Sequence, residues 1–119
     1  MIDQLEREIL VRGVDDVIQL AEMVSVAHFE VGIDFGEDMF NAIAGCISSI
    51  VRNGLAEVGG LEPVGPTLQF VAWPGGADEV VRRVLTEWKL LGRDPNLSEV
   101  SWLSLTEKGR KAAETFLDP

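Results

Sequence analysis

The segment 100–114, Val-Ser-Trp-Leu-Ser-Leu-Thr-Glu-Lys-Gly-Arg-Lys-Ala-Ala-Glu, constrains this chain more than any other stretch. Trp102, Ser104 and Thr106 alternate with Leu103 and Leu105 at the two-residue period of a half-buried strand, and the pattern then breaks into helix formers. Thr106 stands at the junction, where its hydroxyl can accept from the amides of the first helical turn. A strand that runs straight into a helix needs a sheet on one side and a helical layer on the other, so the spacing predicts an α+β domain.

The rest of the chain fits that class. Ile2, Leu5, Ile9 and Leu10 share one helical face, and Gly13 ends the helix. A second helix is expected from Asp15, capped by its carboxylate, with Val17, Leu20, Ala21, Val24 and Val31 on one side. Ile18, Met23, Val26 and Phe29 make it apolar almost all round, which predicts a homodimer or a place at the centre of the core. Asp34-Phe35-Gly36-Glu37 has capping-box spacing and predicts a third helix with a stripe of Phe40, Ile43, Ala44, Ile47, Ile50 and Val51, closed by Gly54 and Leu55. Strands are expected over 55–63 and 67–73, joined across a turn with Pro63, Gly65 and Pro66. After Trp73-Pro-Gly-Gly, Asp78 and Glu79 open a fourth helix with Val80, Val81, Val84, Leu85, Trp88 and Leu91 on its apolar face, stopping at Gly92.

Three helices, a strand pair and the Leu105-Thr106-x-x-Gly109-Arg110 ending resemble the winged helix-turn-helix domains of MarR- and PadR-type regulators. The exit Val51-Arg52-Asn53-Gly54-Leu55-Ala-Glu-Val-Gly is similar to their recognition helix leading into the wing. The resemblance implies one winged-helix-like domain over 1–119, with three N-terminal helices, a small antiparallel wing sheet and a C-terminal helix. The chain departs from that family in the helix inserted between its wing strands. The order Trp-Pro-Gly, Glu-Trp, Asp-Pro-Asn-Leu and a tryptophan-led strand also resembles a group of small actinobacterial proteins.

Charge decides what such a domain can grip. Residues 1–62 carry twelve acidic and three basic side chains, whereas 63–119 carry eight and seven. The first half would repel a polyanion and attract a basic protein. Asp15, Asp16, Glu22, Glu30, Asp34, Glu37 and Asp38 lie within 24 residues that contain no Lys or Arg, and they form the expected partner-binding face. The alternative, a DNA-binding regulator, would rest on Arg52, Arg82, Arg83, Lys89 and Arg93. A reading helix with one cation, Arg52, cannot make the several phosphate contacts that non-specific affinity requires.

No residue set specifies a reaction, a metal or a cofactor. His28 is the sole histidine and has no nucleophile at a recognisable spacing, and Cys46 is the sole cysteine, set among Ile43, Ala44, Ile47 and Ile50 as a buried thiol. Trp73, Trp88 and Trp102 read as core volume first and as a ligand pocket second. The charged N-terminal sequence and the lack of a long apolar run predict a cytoplasmic protein with no membrane partner. The expected function is that of a non-enzymatic interaction module of the immunity, antitoxin or phage-inhibitor kind.

Overall fold

The computed structural model describes residues 3–117. Among them are five α-helices and one four-stranded antiparallel sheet, confirming the α+β class. The elements run α1 (Gln4–Arg12), β1 (Ile18–Gln19), α2 (Leu20–Val26), a π-helical turn (Ala27–Val31), α3 (Glu37–Arg52), β2 (Ala56–Val64), β3 (Thr67–Ala72), α4 (Ala77–Leu91), β4 (Trp102–Leu105) and α5 (Glu107–Leu117). Strand order is β1-β4-β2-β3, so the last strand in the chain lies inside the sheet and β3 is an outer edge.

Local signals set several boundaries, the end of α3 and the start of α5 among them where the sequence suggests. Asp3 caps α1 by accepting from the Glu6 amide at 2.8 Å. The end of α3 is a Schellman motif: Gly54 has φ +73°, Leu55 N–H donates to Ile50 O at 2.8 Å and Gly54 N–H to Val51 O at 3.0 Å. Thr106 caps α5 by accepting from Gly109 N–H at 3.0 Å, and its own hydroxyl donates to Gly54 O at 2.6 Å. One threonine therefore fastens the end of α3 to the start of α5.

Three expected boundaries are corrected. Asp15 starts no helix: residues 15 and 16 lie in a loop, Asp16 accepts from the Val17 amide, and Ile18 and Gln19 form β1 against Leu103 and Trp102 before α2 begins at Leu20. A pairing with a strand far along the chain overrides the local cap signal. Asp34 does not cap α3 either; the N-cap is Gly36, at φ +99° and ψ −144°, a backbone state open to glycine. Pro63 belongs to β2, opposite Leu68, and the turn between Val64 and Thr67 is Gly65-Pro66 alone.

The core lies between the sheet and the helices. Ile9, Leu10, Ile18, Leu20, Met39, Ile43, Ile47, Ile50, Val84, Trp88 and Leu103 are all fully enclosed. Burial of one such side chain contributes roughly 1.5–3 kcal/mol, so this set supplies much of the gross stabilisation. Most of the apolar residues of α2 enter this core: Leu20, Met23, Val24 and Val26 are buried, and Ile18 is buried in β1. The second apolar face from which a homodimer was expected is thus used internally, apart from the exposed Phe29. Ile2, placed on the first helical face, lies outside the described residues.

Glu6 is the one enclosed carboxylate on α1. Burial and the neighbouring Asp3 push its pKa up, against an opposing hydrogen bond from Ser49. Because the folded state favours the protonated form, Glu6 stabilises the fold fully only below its unfolded pKa, and that contribution is lost as pH rises through the folded value. Glu6→Gln is therefore expected to melt higher than the wild type at pH 7, with the gap shrinking as pH falls toward 4. Thermal unfolding at both pH values checks this; an equal or lower melting temperature at pH 7 contradicts it.

Candidate protein-interaction surface

The seven acidic residues occupy three places. Asp15 and Asp16 are exposed in the α1–β1 loop, whose Val14 carbonyl accepts from Arg110 Nε at 3.2 Å. Glu22 and Glu30, from α2 and the π-helical turn, border one hollow of about 230 Å³ with Arg12, Ser25, Val26 and Phe29. Asp34, Glu37 and Asp38 are exposed at the entrance to α3, where the first-turn amides favour negative charge.

The patch is less purely acidic than its sequence. Arg12 reaches over from α1 and donates to Glu30 at 2.5 Å and to Glu8 at 3.0 Å, so Glu30 is already paired. The absence of Lys and Arg from 15–38 did not reveal this, because the neutralising cation lies 18 residues away in sequence. Among the seven, Glu30 is the only member with an ion pair among the described residues.

An aromatic cluster sits beside the same carboxylates. His28 stacks on Phe35 at 4.0 Å, meets Phe29 edge-on at 4.7 Å, and donates from Nδ1 to Ile33 O at 2.8 Å. The π-helical turn, which places His28 and Phe29 here, follows from no local sequence signal. Phe29 is 77% exposed and Phe35 half exposed, so two large apolar rings stand in solvent next to Glu30, Asp34 and Glu37. Sequence reasoning placed Phe29 in a buried helical face and missed this pairing.

The basic residues are held differently from what a nucleic-acid surface needs. Arg52 pairs with Asp78 at 2.7 Å and Arg83 with Glu87 at 2.7 Å. Arg93 forms two bonds to Glu99, at 2.6 and 2.8 Å, and these together with the Asn96 amide pull the Glu99 pKa down to about 2. Lys89 lies 5.1 Å from the Phe40 ring centroid, and Arg83 covers Trp73 at 3.7 Å. Of the five, Arg82 and Lys89 have no ion pair among the described residues.

The three tryptophans do not converge. Trp88 is 1% exposed, packs on Phe40 at 4.4 Å and lines a hollow of about 490 Å³ between the start of α3 and the end of α4. Trp73 lines another hollow, of about 250 Å³, beside β2, and Trp102 borders neither. Cys46 is enclosed, and burial, with Glu6 and Asp3 nearby, pushes its thiol far above the ordinary range, so it is a packed side chain rather than a nucleophile. Among the described residues no three His, Cys, Asp or Glu side chains gather to hold a metal, and no helix is long and apolar enough to cross a membrane. Comparison with protein-family models, with curated proteins and with solved structures gave no match.

Proposed function

We propose that this chain is a winged-helix-like, non-enzymatic interaction module whose acidic N-terminal half engages a basic protein, in the manner of an immunity protein, an antitoxin or a phage-type inhibitor. The scaffold reading is supported by element order: three helices precede a β-hairpin, the short β1 between the first two helices joins the same sheet, and a helix closes the domain. The α4 helix enters between β3 and β4, so β4 rather than β3 takes the place beside β1.

The observation that carries the choice of partner is the state of the cations. Arg52, Arg83 and Arg93 each hold a carboxylate, while Glu37 and Asp38 stand exposed at the start of α3. A helix that leads with two carboxylates repels phosphate, and paired arginines would have to give up their partners to reach it. A basic protein meets no such cost. The exposed Phe29 and Phe35 rings add apolar area that a partner could cover, the kind of anchor that dominates interface energetics. The rival reading, DNA contact through α4, retains Arg82 and Lys89, which have no ion pair among the described residues.

The decisive experiment is a native-cell pull-down followed by binding kinetics with the recovered protein. The partner is expected to be basic, to associate about tenfold more slowly as salt rises from low to physiological strength, and to lose on-rate by a similar factor with Glu37→Lys and Asp38→Lys. The same preparation should leave random duplex DNA unshifted at micromolar protein and roughly 0.15 M salt. Neutral or acidic partners only, or an on-rate indifferent to salt and to both substitutions, overturns the reading. A DNA shift abolished by Arg82→Glu transfers the function to the rival.

A further inference from the structure

We infer that β3 is the pairing edge of a homodimer in which two copies of this chain join their sheets antiparallel across a two-fold axis at Phe70. The strand has a neighbour on one side only: β2 pairs with it from Gly59 opposite Ala72 to Val64 opposite Thr67, and the sheet ends there. The ladder's phase fixes which backbone groups are free. Trp73 N–H donates to Val58 O at 2.9 Å, so these opposed residues form a hydrogen-bonded pair, and alternation makes Gly60 with Val71, Glu62 with Gln69, and Val64 with Thr67 the next ones. Pro63, which has no amide hydrogen, accordingly stands in a pair that exchanges no bonds. The N–H and C=O groups of Leu68, Phe70 and Ala72 therefore point away from β2, to the open side.

Natural edges are usually blunted by charge, proline or a bulge. This one has none: β3 reads Thr-Leu-Gln-Phe-Val-Ala, and no charged residue lies between Glu62 and Asp78. Leu68 is 65% exposed on one face of the hairpin, and Val64 and Val71 are exposed on the other. The open groups are also self-complementary. Placing Phe70 opposite Phe70 of a second copy sets Leu68 opposite Ala72 and Ala72 opposite Leu68, so every outward amide and carbonyl of the three finds a partner.

Electrostatics permits a second copy here despite the acidic total. With strands about 4.8 Å apart, Glu62 on β2 would lie three spacings, about 14 Å, from Glu62 of the other molecule, well beyond the screening length of about 8 Å at physiological salt. A charged peptide would gain nothing from an uncharged strand, whereas another β3 matches it in charge, length and register. The interface is one strand wide, so the dimer is expected to be weak, with dissociation in the micromolar range.

Sedimentation equilibrium from roughly 1 to 500 μM tests this. The mass should climb from 13.0 kDa toward twice that value. Leu68→Pro removes an outward amide and spares the bonds to β2, and Leu68→Lys blunts the edge with charge; both are expected to stay at 13.0 kDa with an unchanged circular dichroism spectrum. Phe29→Ser should dimerise like the wild type. Phe70→Cys should yield a disulfide-linked dimer on mild oxidation, Phe70 being its own partner, while the enclosed Cys46 gives no background in the wild type. A wild type that remains monomeric throughout the range, dimers that survive both Leu68 changes, or dimers lost with Phe29→Ser overturn the proposal.

Discussion

Gly109→Ala is expected to cost about 3 kcal/mol of stability and to lower the melting temperature by roughly 10 °C, the reverse of what alanine does in most helices. Gly109 lies in the first turn of α5, where a Cβ would collide with the carbonyl oxygen of Leu55 and stand 2.8 Å from the carbonyl carbon. Both obstacles are backbone, so no rotamer change relieves them. The helix would have to slide, breaking the Thr106 cap and its bond to Gly54 together. Gly45→Ala is the control. Gly45 is exposed in the middle of α3 with nothing within 4 Å of its missing Cβ, and the same change there should add about 0.5–1 kcal/mol. Chemical denaturation of the two variants checks the pair; a neutral Gly109→Ala sinks the argument for close α5–Leu55 contact.

Trp88→Ala is expected to cost about 3–5 kcal/mol, enough to leave little of the stability of an ordinary domain. Trp88 is the largest fully enclosed side chain and joins α4 to α3 through Phe40. Its indole N–H is the single buried side-chain polar atom without a hydrogen-bond partner among the described residues. Leaving such a donor unsatisfied itself costs about 1–3 kcal/mol. Trp88→Phe removes that penalty along with part of the volume, so it should cost far less, about 1 kcal/mol. Urea unfolding of both variants decides. Equal losses would mean the N–H carries a favourable interaction; a mild Trp88→Ala would mean α4 is only loosely docked.

What could be read from the sequence were features whose causes are local. The Gly54-Leu55 stop, the Thr106 cap and the apolar face of α4 each depend on residues within one or two turns, and each is found where the spacing puts it. The start of α2 was misplaced because β1 exists only through Leu103 and Trp102, more than eighty residues away. Distance along the chain also hid why position 109 is glycine, since the Leu55 carbonyl that excludes a side chain lies 54 residues earlier. In the candidate surface, the carboxylates were visible and their neutralisation was not: Arg12 meets Glu30, and Asp78 meets Arg52, only after folding. The bare edge of β3 did leave a signal, the uncharged run from Pro63 through Ala77, which reads as a strand and turn until the sheet order shows that one side is open.

The position of β4 inside the sheet has a consequence for how the chain acquires its structure. Ile18 waits for Leu103, and Val58 for the same residue from the other side, so β1 has no neighbour and β2 has only β3 until residues 102–105 are available. During synthesis the first ninety-odd residues can form helices and the β2–β3 hairpin, but β1 and β2 remain separated and the apolar residues that Leu103 and Leu105 cover stay wet. Closure then requires a long loop to come together in one late step, which slows folding relative to a helical bundle of the same length and makes it cooperative. A nascent chain halted before Trp102 is held in a form with two unpaired strand edges, the species a chaperone would meet.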